Sequence, residues 1–438
     1  MHSDIHKRGG IWKQISQVSS GRRIRMSRRV AVTGLGIVCP IGNSTEDVMN
    51  SVRNGRCGIA PITRYDTSHQ KVKLAGEVKD LKIDAYIDPS EARKMDLYTQ
   101  YALCAAIQAV RDSGLSFEEE DRQRCGVILG TGIGGIETIE QQQVRGEKHG
   151  FDRVNPFFIP RAISNMSAGH VALRFGLRGI CETTVSACAS SANAIGEAYL
   201  KVKEGRAEIC LTGGSEAAVT PLSIGGFTSL QALSLSQDPA RASIPFDKER
   251  NGFVMGEGGA VLVLEEYEHA RRRGAHIYGE ITGYGATCDA YHITSPDPDA
   301  KEAAACIRLA MEEAGLSPED VDYINAHGTS THLNDSCETK AIRAVFGDAA
   351  DHLKVSSTKS MTGHMLGAAA AVEAVITLLA MEEGFVPPTI GLRVPDPECD
   401  LDYVPETGYS CPIRNALSES FGFGGHNVCL AFRREDKA

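Results

Sequence analysis

The feature that most constrains the fold is an internal repeat, in which one pattern recurs after about two hundred residues. Each copy begins with an amphipathic helical pattern that ends at a glycine, Gly114 in the first copy and Gly315 in the second. An acidic loop, a short strand pattern and a turn of Gly and Thr then follow in each copy. This turn ends at residue 132 in the first copy and at residue 329 in the second. The repeat predicts two halves with the same order of elements.

The alternation of strand and helix patterns predicts an α/β fold in which helices bury the sheets. The 438 residues are enough for two ordinary domains or one large double-layered body. We divide the chain into a basic leader (1–28), an N-terminal half (29–270) and a C-terminal half (271–436). Two similar halves would bring their matching turns together near a shared axis, so that residues distant in sequence meet in one pocket.

Composition and charge exclude several classes of protein. Hydrophobic residues make up 42% and charged residues 23%, as in soluble globular proteins. The formal net charge of -10 argues against binding to nucleic acid or to an anionic membrane surface. A spanning helix needs roughly 18 apolar residues, and the best candidate, residues 367–381, is interrupted by Glu373.

The cysteines and the leader bear on cellular location. The 13 cysteines include no C-x-x-C pair and do not cluster, which predicts reduced thiols, no metal site and a cytoplasmic protein. The leader is rich in Lys and Arg, has Asp4 as its one acid, and lacks the apolar core of a secretory signal. We expect a disordered leader or a true start at Met26, with an organellar transit peptide as the alternative.

Residues 185–191 place a cysteine at a predicted strand-to-helix turn. The β-branched residues 183–185 favour a strand, and apolar residues then recur at helical spacing over residues 192–202. Cys188 would therefore lie at a helix N-terminus, where the dipole and free N–H groups lower a thiol pKa to roughly 3.5–7.5. This pattern is typical of a sulfur nucleophile, although an inert buried cysteine is the alternative for the motif alone.

Two histidines in the second half lie in comparable positions. His327 follows the apolar run 321–324, and His364 precedes an Ala-rich helix that is predicted over residues 366–379. Each is next to a glycine, near the end of a regular element, where side chains converge on clefts. Within the repeat, the helix start at Cys188 matches residues 359–364 of the second half. We expect both histidines to meet Cys188 in one pocket.

The glycine-rich loop 130–135 fits the dinucleotide pattern G-x-G-x-x-G after a strand. That interpretation requires a second strand ending in an acid about twenty residues further on. Residues 141–150 are polar instead, and Asp152 ends no strand pattern. Nicotinamide binding is therefore rejected, and a tight turn remains.

Further sequence blocks occur in a fixed order: VAVTGLG (30–36), NPFFIP (155–160), PFDK (245–248), GFVMGEG (252–258) and FGFGGHN (421–427). Together with the Cys and His motifs they resemble the elongating β-ketoacyl-acyl carrier protein synthases, most closely the synthase II group of bacterial fatty acid synthesis. The resemblance extends from residue 29 to residue 432. It implies a thiolase fold, with duplicated α/β halves in five layers, and a homodimer.

The resemblance also implies roles for single residues. Cys188 corresponds to the nucleophile, His327 and His364 to the two catalytic histidines, and Lys359 to a lysine beside the second. Glu338 corresponds to a supporting acid, and Phe423 to a gate whose N–H forms an oxyanion hole together with that of Cys188. Thr329 and Thr331 correspond to residues that hold the phosphopantetheine arm. Ile133 corresponds to the residue at the floor of the acyl pocket. Without the resemblance, Lys359 is interpreted as a surface lysine and Glu338 as a solvated or paired acid. Departures from the common residues occur at Ser186, His332 and His426.

The activity so implied is a two-step acyl transfer without an organic cofactor or a metal. An acyl chain moves from acyl carrier protein to Cys188 and then condenses with a malonyl group that loses carbon dioxide. Two histidines suit this elongating reaction better than the His–Asn pair of initiating synthases. The carrier is acidic, so basic residues are candidates for its docking, namely Lys71, Lys73, Lys148, Arg153 and Arg161.

Four alternatives remain. A stand-alone polyketide ketosynthase differs only in substrate. A non-catalytic subunit of the chain-length-factor kind should lack the nucleophile, and Cys188 is present. A degradative thiolase needs a second cysteine near the C-terminus, but Cys429 lacks the expected Cys-x-Gly setting. A Cys–His hydrolase has no need for two histidines and a lysine.

Overall fold

A computed structural model describes residues 28–435. The predictions of a disordered leader and of a start at Met26 lie outside the described residues. Among the helices between residues 28 and 435, none is long and apolar enough to cross a membrane.

The centre of the molecule is a ten-stranded sheet of mixed parallel and antiparallel pairs. Its strands, from one edge to the other, are β5 (Cys181–Thr184), β4 (Cys125–Gly130), β6 (Ile209–Glu216), β7 (Gly258–Glu266), β1 (Val30–Val38), β8 (Gly279–Cys288), β14 (His426–Arg434), β13 (Asn415–Gly422), β9 (Tyr323–Asn325) and β10 (Lys354–Ser356). Two short ribbons pair β2 (Ala60–Pro61) with β3 (Leu74–Ala75) and β11 (Phe385–Val386) with β12 (Tyr409–Ser410).

The strand order confirms the predicted repeat. Outward from the centre, β1, β7, β6, β4 and β5 of the first half match β8, β14, β13, β9 and β10 of the second. In both halves the two inner pairs are antiparallel and the two outer pairs are parallel. A short antiparallel contact between β1 and β8, at Val30–Val32, joins the halves.

Helices bury both faces of each half, as the sequence predicts. They are α1 (Thr45–Arg53), α2 (Pro89–Ala92), α3 (Leu97–Ser113), α4 (Ile136–His149), α5 (Phe158–Ala162), α6 (Met166–Phe175), α7 (Ser190–Lys203), α8 (Pro221–Ser229), α9 (Tyr267–Arg272), α10 (Lys301–Ala314), α11 (His332–Phe346), α12 (Lys359–Thr362) and α13 (Ala369–Glu383). Helices α7 and α13 share the central apolar cluster, α3 and α6 cover the outside of the first half, and α10 and α11 cover the second. This is the five-layered α/β architecture.

Helix α13 forms the centre of the molecule, and residues 369–381 are all buried. A helix that is apolar on every side has no solvent face and must be enclosed. The prediction that it begins at residue 366 differs slightly from the structure, because Leu366–Ala368 form a 3-10 turn ahead of it. Its one charged residue in the buried part is Glu373, so that carboxyl lies deep in the core.

Candidate active site

Cys188 lies in a 3-10 turn, Ala187–Ala189, between the edge strand β5 and helix α7. The preceding Ala187 has a φ of 50°, a conformation disfavoured for residues with a side chain. The second half repeats this geometry, since Leu366 has a φ of 47° and the turn Leu366–Ala368 leads into α13. The counterpart of Cys188 is therefore Gly367, and our match of Cys188 to residues 359–364 was too far towards the N-terminus.

The structure brings together the cysteine of one half and both histidines of the other. The Nε2 atom of His364 is 3.0 Å from the Sγ of Cys188. One ring nitrogen of each histidine and the cysteine sulfur all lie within 4.8 Å of one another. The two imidazole rings are nearly perpendicular, with centroids 5.3 Å apart. All three side chains line one cavity of about 370 Å³, which confirms that they meet in a single pocket.

The electrostatics of Cys188 differ from our expectation of a lowered pKa. Burial raises the pKa of the Cys188 thiol to about 12, although the charge of Lys359 and the N–H groups of Phe423 and Cys188 itself act in the opposite direction. The helix N-terminus is present, but desolvation of the thiolate outweighs it. At rest the sulfur is a thiol, and His364 is positioned to take its proton.

Both histidines are neutral at physiological pH. Burial lowers the pKa of His327 and of His364 well below the usual value, and the positive charge of Lys359 lowers both further. A neutral imidazole has one N–H to donate and one nitrogen to accept a proton. The pair can therefore act both as hydrogen-bond donors and as a base.

Lys359 lies in the core and not on the surface, at the start of helix α12. Its ammonium forms an ion pair with the carboxylate of Glu373 on α13, and each side chain is only 1% exposed. The sequence revealed Glu373 only as an interruption of an apolar run. A charged residue within an apolar run was the available signal of a buried ion pair, because a buried carboxylate requires an oppositely charged partner. Lys359 thus acts on the histidines through its field, at a distance.

Glu338, on helix α11, holds the turn that carries His327. Its two oxygens accept hydrogen bonds from the backbone N–H of His327 at 2.6 Å and of Gly328 at 2.7 Å. The side chain is fully enclosed, so these bonds are not exchanged with water. Glu338 is accordingly a buried acid that shapes the site through the backbone, and not a solvated one.

Replacing Lys359 with methionine is expected to destabilise the protein by about 3–5 kcal/mol, because Glu373 is left as an unpaired buried charge. The double variant Lys359→Met/Glu373→Met should recover most of this loss. In that variant the pKa of both histidines rises, so the acid limb of the pH–rate profile moves to higher pH. Urea unfolding at neutral pH and initial rates across pH measure the two effects. Equal instability of the single and double variants would contradict the ion-pair argument.

The remaining predicted site residues surround the same cavity, with one exception. Phe423, Thr329 and Thr331 line it, and the hydroxyls of the two threonines are 3.0 Å apart. Phe423 follows β13, and its ring lies 6.3 Å from that of Phe227. Ile133 is not among the lining residues, although it packs in the apolar cluster that also contains Cys188. Its predicted place at the pocket floor stays a prediction.

The glycine-rich loop is occupied by the protein's own carboxylate. The buried side chain of Glu216, at the end of β6, accepts from the N–H groups of Gly132 at 2.6 Å, Ile133 at 3.2 Å and Gly367 at 3.1 Å. A loop whose donors are used in this way has none left for a pyrophosphate, in agreement with our rejection of dinucleotide binding. The sequence did not reveal Glu216. Its carboxylate joins the glycine-rich loop to the turn at Gly367, which is the counterpart of the Cys188 turn.

Within residues 28–435, the set of metal-type donors that lie close together is Cys188, His327 and His364. The nearby cation Lys359 and the raised pKa of the thiol make this a poor cation site. A larger open groove lies elsewhere, beside Arg29 and Tyr278, and contains none of the predicted site residues.

Family models match most of the chain. The model described as beta-ketoacyl synthase, N-terminal domain, matches residues 27–270, and that of the C-terminal domain matches residues 278–393. The chain is 52% identical over 408 residues to the 3-oxoacyl-[acyl-carrier-protein] synthase 2 of Synechocystis sp., covering 93% of this chain and 98% of that one. It is 48% identical over 408 residues to the protein of the same name from Staphylococcus aureus, covering 93% and 99%.

Solved structures agree with this. A ketosynthase in complex with its type II PKS acyl-carrier protein (AntDE:AntF), bound to a hexaketide, has a TM-score of 0.87 and 38% sequence identity, covering 93% of this chain and 100% of that one. A beta-ketoacyl synthase from Burkholderia phymatum has a TM-score of 0.87 and 34% identity, with the same coverage. On the geometry of the Cys–His–His site, the two family models and these relatives, the chain belongs to the β-ketoacyl synthase family.

Proposed function

We propose that the protein is the condensing enzyme of fatty acid elongation, an acyltransferase that lengthens an acyl-carrier thioester by two carbons with a malonyl-carrier as donor. The observation that carries this proposal is the cavity in which Cys188 meets two neutral histidines. The first product is a 3-oxoacyl thioester on the carrier, and the second is carbon dioxide.

In the first step, the thiol of Cys188 passes its proton to Nε2 of His364 and attacks the carbonyl carbon of the incoming acyl thioester. Negative charge develops on the carbonyl oxygen, and the N–H groups of Cys188 and Phe423 form the oxyanion hole. These N–H groups face the cysteine sulfur in the structure. The carrier thiolate then leaves with the proton from His364, and the acyl chain stays on Cys188.

In the second step, the malonyl carboxylate leaves as carbon dioxide, and its bonding electrons form a thioester enolate. The N–H group of His327 stabilises the enolate oxygen, a role that requires a neutral ring. The enolate carbon attacks the acyl carbonyl, and the Cys188 thiolate leaves and takes up a proton. The balance requires no oxidant, reductant or organic cofactor, and no metal.

The carrier delivers its substrate on a flexible phosphopantetheine arm, for which Thr329 and Thr331 offer hydroxyls along the cavity. An acidic carrier would favour exposed basic side chains on the surface, and Lys71, Lys148 and Arg153 are exposed. Free thiols, including exposed Cys181 and Cys288, support a reducing compartment such as the cytoplasm. The presence of Cys188 supports a catalytic subunit over a chain-length-factor-like one.

The proposal is tested by incubating the protein with an acyl-carrier thioester and then with malonyl-carrier. We expect intact-mass spectrometry to show an acyl adduct on the protein, followed by a carrier product that is longer by two carbons. The same experiment with coenzyme A thioesters separates a carrier-dependent enzyme from a degradative thiolase. Absence of an adduct with competent carriers would refute the catalytic role.

We further propose that the protein is a homodimer in which β5 pairs with β5 of a second copy. Strand β5 is the sheet edge of the first half, and its outer side has no neighbouring strand among the described residues. Two large apolar side chains beside this edge are exposed: Val185, which directly follows β5, and Leu173 on α6, which packs against β5. An unpaired edge flanked by apolar surface is a template for another strand, and a twofold axis would extend the sheet.

Leu173→Asp tests the dimer, because Leu173 on α6 is 76% exposed and its replacement leaves the core of the subunit intact. We expect the mass in solution to fall from about twice the 47.0 kDa of the chain to the mass of one copy. The matched control is Leu309→Asp on α10, which is exposed far from this edge. Light scattering after size exclusion measures the mass, and a dimeric Leu173→Asp would contradict the proposed interface.

A further inference from the structure

Arg250 is a buried charged residue that the proposed mechanism does not use. It lies in the irregular segment 242–257 that leads to β7, and its side chain is 0% exposed. A guanidinium has five N–H donors, and each donor that is buried without an acceptor destabilises the fold. The acceptors around Arg250 therefore indicate what this side chain holds in place.

All three nitrogens of the Arg250 guanidinium have acceptors. Nε donates to the carbonyl of Thr331 at 3.2 Å, and Nη2 donates to the carbonyl of His332 at 3.2 Å. Nη1 donates to the carbonyl of Asp247 at 2.9 Å and to the carboxylate of Asp396. One planar group thus holds two consecutive carbonyls at the start of α11, which is a fork that arginine can form and lysine cannot.

The segment that contains Arg250 also holds the preceding residue of the loop, Ser330. The carbonyl of Ser330 accepts from the N–H of Gly252 at 3.0 Å, and its hydroxyl accepts from the N–H of Ile244 at 3.0 Å. Ser330 has a φ of 69°, a conformation that is disfavoured for a residue with a side chain and persists only when surrounding contacts enforce it. The fork of Arg250 on the next two residues is one of these contacts.

Asp335 connects the same loop and segment from the side of α11. Its two oxygens accept from the N–H of Thr329 at 3.0 Å and from the N–H of Phe246 at 2.8 Å. The Nε atom of Arg250 lies 3.5 Å from this carboxylate, and both side chains are fully buried. Each of the four residues in the loop 329–332 is therefore bonded to Asp335 or to the segment around Arg250.

The loop 329–332 presents polar side chains to the cavity. Thr329, Thr331 and His332 line it, and the hydroxyls of the two threonines are 3.0 Å apart. A phosphopantetheine arm has two amide groups, and a hydroxyl can donate to or accept from an amide. Because a hydrogen bond weakens steeply when its distance or angle departs from the optimum, the affinity for the arm depends on where the backbone holds the two threonines.

The reacting groups are held by other contacts. The carboxylate of Glu338 holds the turn at His327, and Cys188 lies in the other half of the molecule, bonded to His364. None of these contacts includes Arg250. Loss of the guanidinium fork should therefore weaken binding of the arm and leave the Cys–His–His cluster in place.

We propose that Arg250 is a positioning residue for the phosphopantetheine arm of the carrier, because its fork on the Thr331 and His332 carbonyls aims the Thr329 and Thr331 hydroxyls at the arm. The inference rests on the proposed function, since it takes this arm as the occupant of the cavity. Arg250 itself contacts neither the arm nor the reacting atoms. Its effect should consequently appear in KM and not in kcat.

Arg250→Lys tests the proposal, because lysine keeps the positive charge beside Asp335 and Asp396 but has no planar fork. We expect KM for malonyl-carrier to rise about tenfold and kcat to stay within about threefold, as for hydrogen bonds made equally to substrate and transition state. The matched control is Arg393→Lys, at a half-exposed side chain that pairs with Glu406, and it should leave both constants unchanged. A fall in kcat with KM unchanged would contradict the proposal.

A thioester without the arm separates positioning from a general structural role. The acyl thioester of ethanethiol has the reacting carbonyl but neither amide group, so it should acylate Cys188 at the same rate, within about threefold, in wild type and Arg250→Lys. Equal losses with this thioester and with the carrier would overturn the proposal. Asp396→Asn, which weakens the bond to Nη1 without changing its shape, is a second variant in case Arg250→Lys does not fold. It should also raise KM, and an unchanged KM there would contradict the proposal as well.

A binding measurement without catalysis distinguishes this inference from the proposed function. S-Methyl pantetheine has both amides of the arm and no acyl group, and in wild type it should protect Cys188 from alkylation by iodoacetamide. We expect Arg250→Lys to need about tenfold more of it for equal protection, measured by intact-mass spectrometry. Equal protection in the two proteins, or none in wild type, overturns the inference. The expected protection without any condensation in wild type would count against the proposed function alone.

Discussion

Cys188→Ala will abolish acylation of the protein and lower the rate of condensation by about 10⁴-fold or more. Among the thiols that line the cavity, that of Cys188 lies 3.0 Å from Nε2 of His364, where its proton can be removed before it attacks the acyl carbonyl. Intact-mass spectrometry after incubation with an acyl-carrier thioester measures the adduct. The turn itself should survive the substitution, because alanine already occupies both neighbouring positions.

The matched control for this prediction is Cys337→Ala. Cys337 lines the same cavity on α11, and burial raises the pKa of its thiol as it does for Cys188. It lacks the hydrogen bond to His364 and the turn at a helix start, so we expect its loss to leave the adduct in place. An adduct that persists in Cys188→Ala but disappears in Cys337→Ala would reassign the nucleophile.

His327→Ala will separate the two half-reactions. Removing one donor to a developing oxyanion raises the barrier by about 2.7–4 kcal/mol, or roughly 10²–10³-fold in rate, and His327 is the proposed donor for the enolate. The thiol of Cys188 is bonded to His364 and not to His327, so acylation should continue. Release of carbon dioxide from malonyl-carrier and formation of the adduct, measured on the same samples, give the two rates.

His332→Ala is the control for the histidine prediction. His332 also lines the cavity, but it is exposed at the start of α11, outside the Cys–His–His cluster. We expect both half-reactions to stay within a few-fold of wild type. Equal losses in acylation and condensation for His327→Ala would show that this histidine supports the site as a whole and not the enolate.

The repeat in the sequence was sufficient to predict most of the fold. Local patterns of helix, glycine and short strand recur in both halves, and equal patterns produce equal strand orders, as the matching of β1, β7 and β6 with β8, β14 and β13 demonstrates. The position of Cys188 at a helix start could also be predicted from the local sequence, because residues that favour a strand are followed there by residues that favour a helix. The exact counterpart, Gly367, was misplaced because it lacks the side chain that would have marked it.

What the tertiary structure alone decided is the electrostatics of the site. Glu373 and Glu216 come from separate elements, and the groups that they bind, the Lys359 ammonium and the Gly367 N–H, lie 14 and 151 residues away along the chain. The sequence determined that a cysteine would begin a helix and that histidines would follow in the second half. Whether the cysteine rests as thiol or thiolate depended on desolvation, which only the packed layers around it determine.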